Sequence, residues 1–174
     1  MTEAPHTPAG SGDLSHVRAD GSAHMVDVTA KQITAREATA RAVLRTRRDV
    51  VGRIADGSLP KGEALGTARI AGIMAAKRTP DLIPLCHPLP LSGVEIDLHP
   101  REDSVEILAR VRTKGVTGVE MEALTAASVA ALTVYDMIKA VDHLATIDQV
   151  QVLAKSGGAS GDWTRADEEG EQTR

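Results

Sequence analysis

Two stretches of the chain alternate apolar and polar residues. In Val94–Leu98 the apolar positions are Val94, Ile96 and Leu98, with Glu95 and Asp97 between them. In Val105–Arg112 they are Val105, Ile107, Ala109 and Val111. A period of two predicts strands with one dry face and one wet face. The turn-rich HPREDS between them predicts a β-hairpin. A further strand is expected near Thr146–Leu153, and a short extended piece at Met25–Val28. Thr34–Leu44 (TAREATARAVL) fits strand or helix equally by period.

Helical spacing appears elsewhere. Arg47–Asp56 places Val50, Val51 and Ile54 on one side and stops at Gly57 and Pro60. Gly62–Arg78 carries Ile70, Ile73, Met74 and Lys77 on one stripe. Pro80, Pro84, Pro88 and Pro90 exclude regular helix through TPDLIPLCHPLP. Residues 120–142, EMEALTAASVAALTVYDMIKAVD, predict a long helix. Its thirteen residues from Ala123 to Tyr135 carry no charge, and small residues lie on every side, which predicts burial on several faces. Helices alternating with antiparallel strands predict an α+β fold, with helices on one face of the sheet.

Composition narrows the function. A net charge of −4 gives the chain no basic footprint for nucleic acid. With no Phe, one Trp and one Tyr it offers no base-stacking platform either. The core must be built from Ala, Val, Ile and Leu, which bury less area than rings. Burial between subunits would compensate, so an oligomer is expected. The single cysteine, Cys86, excludes an intrachain disulfide and a Cys-cluster metal site. No H-x-x-x-H or C-x-x-C occurs, so no resident metal is expected. The longest uncharged run falls short of the roughly 20 residues a bilayer span needs. The polar, Gly/Pro-rich N-terminus lacks a secretory pattern. These features predict a cytoplasmic protein without a membrane or nucleic-acid partner. Residues 1–24 and 159–174 are expected to be disordered tails around one domain, 25–158.

Lysine is scarce, six against fourteen arginines, and several lysines sit in suggestive places. Asp136 and Lys139 lie one helical turn apart at the end of the uncharged run. Read simply, they form an i,i+3 ion pair. At the end of a buried rod, however, charges are costly unless used, and a desolvated lysine with a lowered pKa suits proton transfer. Lys61 precedes a helix in KGE. It is either a solvated lysine offset by Glu63 or, with the free N–H groups of the helix, an anion holder. Prolines at 84, 88 and 90 stiffen LIPLCHPLPL and fix the pose of His87. Cys86 and His87 are adjacent and point apart in extended chain, so they make no nucleophile pair. Glu120 and Glu122 enter a helix N-terminus, where acids are favourable in any case. AKSGG (154–158) resembles a phosphate loop only loosely. Together these residues suggest a small, phosphate-bearing ligand without naming a reaction. A non-catalytic phosphate-binding module and a purely structural oligomer stay open at this level.

The segments MVDVTAK (25–31), KGEALGTARIAGIMAAKRTPDLIPLCHPLPL (61–91), KGVTGVEMEALTAASVAALTVYDMIKAVD (114–142) and LAKSGG (153–158) closely resemble the molybdenum cofactor biosynthesis protein C family, MoaC. LCHP, GVEMEALTA and YDMIKA are specific in combination. The resemblance implies a ferredoxin-like fold and a homohexamer, a trimer of dimers with active sites at the dimer interface. It implies a lyase that converts (8S)-3′,8-cyclo-7,8-dihydroguanosine 5′-triphosphate to cyclic pyranopterin monophosphate and pyrophosphate. Position by position, Asp136, Lys139 and Lys61 match the catalytic residues. Leu85, Cys86, His87, Met121 and Glu122 match substrate-binding segments, with Glu120, Lys77, Lys155 and Arg36 as further pocket positions. No redox cofactor is implied, and Mg2+ accompanying the triphosphate is left open. Glu122 and Asp136 lie roughly 20 Å apart along one helix at 1.5 Å per residue. The two are therefore expected to reach one substrate from different subunits.

Overall fold

The computed structural model describes residues 20–166. The remainder of the expected tails, 1–19 and 167–174, lies outside the described residues. The elements in chain order are β1 (Thr34–Arg45), α1 (Arg48–Ala55), α2 (Ala64–Ala76), α3 (Thr79–Leu82), β2 (Leu91–Pro100), β3 (Ser104–Gly115), α4 (Glu120–Ile138), β4 (Thr146–Ser156) and β5 (Trp163–Thr164). The strands form one sheet in the order β2-β3-β1-β4-β5, antiparallel throughout. Without β5 this is the β-α-β-β-α-β arrangement of ferredoxin-like folds, the expected class.

The segment that fitted two structures is settled by its partners. β1 pairs with β3 on one side and β4 on the other, so it is the central strand. Ala38, Ala40, Ala42 and Leu44 all face the core and are buried. Small residues at period two carry little hydrophobic signal, which is why the period alone left it open. The opposite sheet face is charged. Arg110 and Arg112 each reach Glu37 and Glu95 across the strands, and Arg45 pairs with Asp148.

On the core face α4 lies against the sheet with α2 beside it. Ala123, Ala126, Ala127, Ala130 and Ala131 of α4 are all fully buried. A Cβ on Gly72 of α2 would strike the Ile96 side chain, and would crowd the Ala126 carbonyl and the Ala130 methyl. The two helices therefore approach as closely as small residues allow. α4 has the length and hydropathy of a membrane span, but its apolar residues are those of a core helix. Fully burying a Val, Leu or Ile contributes about 1.5–3 kcal/mol. Each buried alanine contributes less, so this interior gains stability from close contact rather than side-chain size.

Three local expectations change. The buried stripe of α2 is Ala64, Ala68, Gly72, Ala75 and Ala76, while Ile70 and Met74 are 62% and 56% exposed. The close contact with α4 excludes large side chains, so the apolar stripe points outward. Helix is not wholly absent from the proline segment, because α3 places Pro80 in its first turn, where the missing N–H costs nothing. The piece Met25–Val28, expected to be extended, joins no sheet. Asp27 instead accepts from the N–H and hydroxyl of Thr29 and bends the chain there. Finally, residues beyond 158 are not all tail, since Trp163 and Thr164 pair with Lys155 and Ala154 of β4. The Gly-rich composition hid a turn that returns the chain to the sheet edge.

Candidate active site

Two adjoining cavities open at the N-terminal end of α4. The first, about 530 Å3, is walled by Val26, Leu85, Cys86, His87, Met121 and Glu122 among others. The second, about 660 Å3, is walled by Arg36, Lys155 and the turn from Ser156 to Ser160. Lys31, Thr117, Gly118 and Glu120 line both. The Asp27 turn and the Lys31 N–H to Val28 carbonyl bond carry Lys31 to this shared wall.

In the first cavity the stiff proline segment presents its residues as expected. His87 Nε2 lies 2.9 Å from the Val26 carbonyl. A carbonyl only accepts, so this nitrogen carries a proton and Nδ1 is the ring nitrogen left for a ligand. Glu122 is 2% exposed, and its Oε2 has no hydrogen-bond partner among the described residues. Burial pushes its carboxyl above the usual carboxylate range. Burial, and then the neighbouring Glu122, push the Cys86 thiol up as well. Cys86 is thus a wall residue and not a thiolate nucleophile. Met121 and Leu85 supply apolar surface. A flat, partly apolar ligand with one protonatable edge fits this half.

The second cavity is cationic. Lys155 Nζ lies 3.0 Å from Glu120 Oε1. Arg36 donates from Nε to the Gly115 carbonyl at 3.0 Å and from Nη2 to the Val116 carbonyl at 3.1 Å. Those two bonds fix the plane of the guanidinium at the cavity wall. Three cations, Lys31, Arg36 and Lys155, therefore converge on one space, against Glu37 and Glu120. Such a site suits a polyphosphate.

Asp136, Lys139 and Lys61 form a separate cluster at the far end of α4. Lys61 Nζ donates to Asp136 Oδ2 at 2.7 Å and to the Asp136 carbonyl at 2.8 Å. Lys139 Nζ reaches Oδ1 at 2.7 Å. Hydrogen bonds from Lys139, and then Lys61, hold the Asp136 carboxyl down at about 2. The same bond raises Lys139. This corrects the expectation of a buried pair with a lowered lysine pKa. About half of each side chain is exposed in the single chain, so pairing outweighs desolvation. The alternative in which Lys61 and the free N–H groups of α2 hold an anion is not adopted. Lys61 turns to Asp136, and Glu63 takes the Gly66 N–H at 2.6 Å.

The structure thus groups the expected residues in two places. Leu85, Cys86, His87, Met121, Glu122, Glu120, Lys155 and Arg36 surround the paired cavities. Asp136 stands about 21 Å from Glu122 by the rise of α4, and Lys139 and Lys61 cluster around it. Lys77, the exposed C-cap of α2, lines neither cavity. Lys31 was missed as a site residue, although its scarcity as a lysine and the Asp-Val-Thr turn before it were readable.

The MoaC family model matches residues 25–158. The chain is 64% identical over 152 residues to the cyclic pyranopterin monophosphate synthase of Corynebacterium efficiens, covering 87% of this chain and 98% of that protein. It is 61% identical over 155 residues to cyclic pyranopterin monophosphate synthase 2 of Mycobacterium bovis, covering 89% and 93%. With the synthase of Streptomyces coelicolor it shares 58% over 164 residues, covering 91% and 96%. The match spans both cavities and the Asp136 cluster, and the chain belongs to the MoaC family.

Proposed function

We propose that this chain is a cyclic pyranopterin monophosphate synthase. It converts (8S)-3′,8-cyclo-7,8-dihydroguanosine 5′-triphosphate to cyclic pyranopterin monophosphate and pyrophosphate, an early step of molybdenum cofactor biosynthesis. The reading is carried by one arrangement, a cavity with three cations joined to a cavity with a buried acid and a histidine. The cationic half fits the triphosphate. The other half fits the purine-derived rings. Cyclisation on the α-phosphorus expels pyrophosphate, whose charge Lys31, Arg36 and Lys155 offset as it develops. The ring rearrangement moves protons and makes no net oxidation. Glu122, whose carboxyl burial pushes above the usual carboxylate range, and His87 are the two groups of this half that can exchange protons with the rings.

Asp136, Lys139 and Lys61 complete the site from a second copy of the chain. The working form is a homohexamer, a trimer of dimers with active sites across the dimer interface. The outward apolar residues Ile70 and Met74 of α2 and Leu132 of α4 support such a contact. Docked there, the exposed cluster loses water, and Lys139 becomes a proton carrier when substrate parts it from Asp136. The enzyme needs no resident metal, and Mg2+, where it acts, arrives on the triphosphate. The site is placed in the cytoplasm, in keeping with the free thiol of Cys86.

Purified protein incubated with the cyclised guanosine triphosphate should yield a pterin product and pyrophosphate, followed by mass spectrometry and a coupled phosphate assay. Saturable binding of the nucleotide without product would replace the synthase with a phosphate-ligand module.

A further inference from the structure

The cationic cavity depends on chain that lies beyond residue 158. Its rim turns at Gly157, Gly158 and Gly161, with φ of 84°, 78° and 66°. Three residues in the left-handed region need glycine, and glycine makes the turn loose. The turn is nonetheless closed twice. The Gly161 N–H donates to the Gly158 carbonyl at 3.2 Å. Asp162 Oδ1 accepts from the Gly157 N–H at 3.0 Å. Behind Asp162, the Arg165 N–H bonds the Leu153 carbonyl at 2.7 Å and its Nε bonds the Val152 carbonyl at 2.9 Å.

Two of the three cations, Arg36 and Lys155, touch this segment. A Cβ on Gly158 would strike the Arg36 guanidinium, and one on Gly157 would strike the Ala35 carbonyl. The turn is therefore packed against the backbone and head group of Arg36. Lys155 is paired across the sheet with Trp163.

We propose that Gly161–Arg165 is a strap that sets the anion end of the site, with Asp162 as its positioning residue. Asp162 touches no substrate. It pins the glycine turn by its first N–H, and the turn buttresses Arg36 while the β4–β5 pairing fixes the root of Lys155. The inference rests on the proposed reading only in naming the anion as the triphosphate. What Asp162 supplies is an acceptor oxygen rather than a charge, since its carboxylate adds a negative group near a site for phosphate.

The test compares Asp162→Ala and Asp162→Asn with the native chain. Pyrophosphate binding is measured by calorimetry, alongside KM, kcat and Tm. Loss of one acceptor should raise the pyrophosphate Kd and the KM about ten-fold in Asp162→Ala, with kcat and Tm nearly unchanged. Asp162→Asn keeps an acceptor oxygen and should return both to within about two-fold of native. Unchanged Kd in Asp162→Ala would overturn the proposal. So would an Asn variant as weak as the Ala variant, a fall in Tm and kcat together, or native protein that binds no pyrophosphate. If native protein binds pyrophosphate with this pattern but turns over no nucleotide, the strap stands and the synthase reading fails.

Discussion

Lys61, in the turn before α2, places its ammonium between the side chain and the main-chain carbonyl of Asp136, at 2.7 and 2.8 Å. The contact joins residues 75 apart in sequence. It fixes the lysine's position twice on one partner, which suits a poised group better than a surface decoration.

Removing this cluster should therefore silence chemistry and spare the fold. Asp136→Asn and Lys139→Ala are each expected to lower kcat by roughly 10²–10⁴-fold, the range for a lost acid or base. The groups are half-exposed, so Tm should hardly move. Steady-state assays with thermal melts check this, and near-native turnover in either variant would refute the assignment.

The separation of the two clusters along α4 predicts complementation. His87→Ala and Lys139→Ala should each be inactive alone. Co-expressed, randomly mixed dimers with sites across the interface regain one intact site per mixed pair, about a quarter of native activity. A mixture that stays inactive at every ratio would place both clusters in one chain's site.

Glu122 predicts a pH dependence of stability. Burial raises its folded pKa above the ordinary 4.5, so the fold keeps a proton that the unfolded chain releases. Its contribution is complete below 4.5 and falls as pH rises toward the raised value. Denaturant titrations of Glu122→Gln and native protein should agree near pH 4, with the variant gaining the advantage by pH 8. Parallel curves across that range would mean that Glu122 folds ionised.

The α2–α4 contact predicts a steep cost for added bulk. Gly72→Val meets the Ile96 side chain and the α4 backbone at once, and should destabilise by about 1–3 kcal/mol or more. Equilibrium unfolding measures it. A cost below experimental error would mean the helices separate freely.

The hairpin β2–β3 was legible because its large branched residues alternate with charges. The core role of α4 was legible from its missing charges. β1 and the buried face of α2 were less so, because alanine and glycine do little to mark which side is inside. Of the stripe Ile70, Ile73 and Met74, which looked like a core face, Ile73 packs partly against the core while Ile70 and Met74 turn outward, since size is what the α2–α4 contact rejects. The functional segments were legible through their combined motifs, and the Lys61–Asp136 contact was not. No local spacing encodes a bond formed by two helix ends meeting antiparallel. The state of Lys139 was misread for a related reason, because burial was inferred along one helix while the charged end stays open to solvent in one chain.

The pairing of Trp163 with Lys155 also determines what light reports about this protein. Trp163 is the sole tryptophan, and there is no phenylalanine and a single tyrosine. The Arg165 guanidinium lies 5.4 Å from its ring centroid. Intrinsic tryptophan emission thus comes from the edge of the sheet beside the cationic cavity and is silent about the alanine-built interior. A fluorescence melt should record release of this edge, ahead of the loss of helical circular dichroism, so the two optical transitions give separate readings of one molecule.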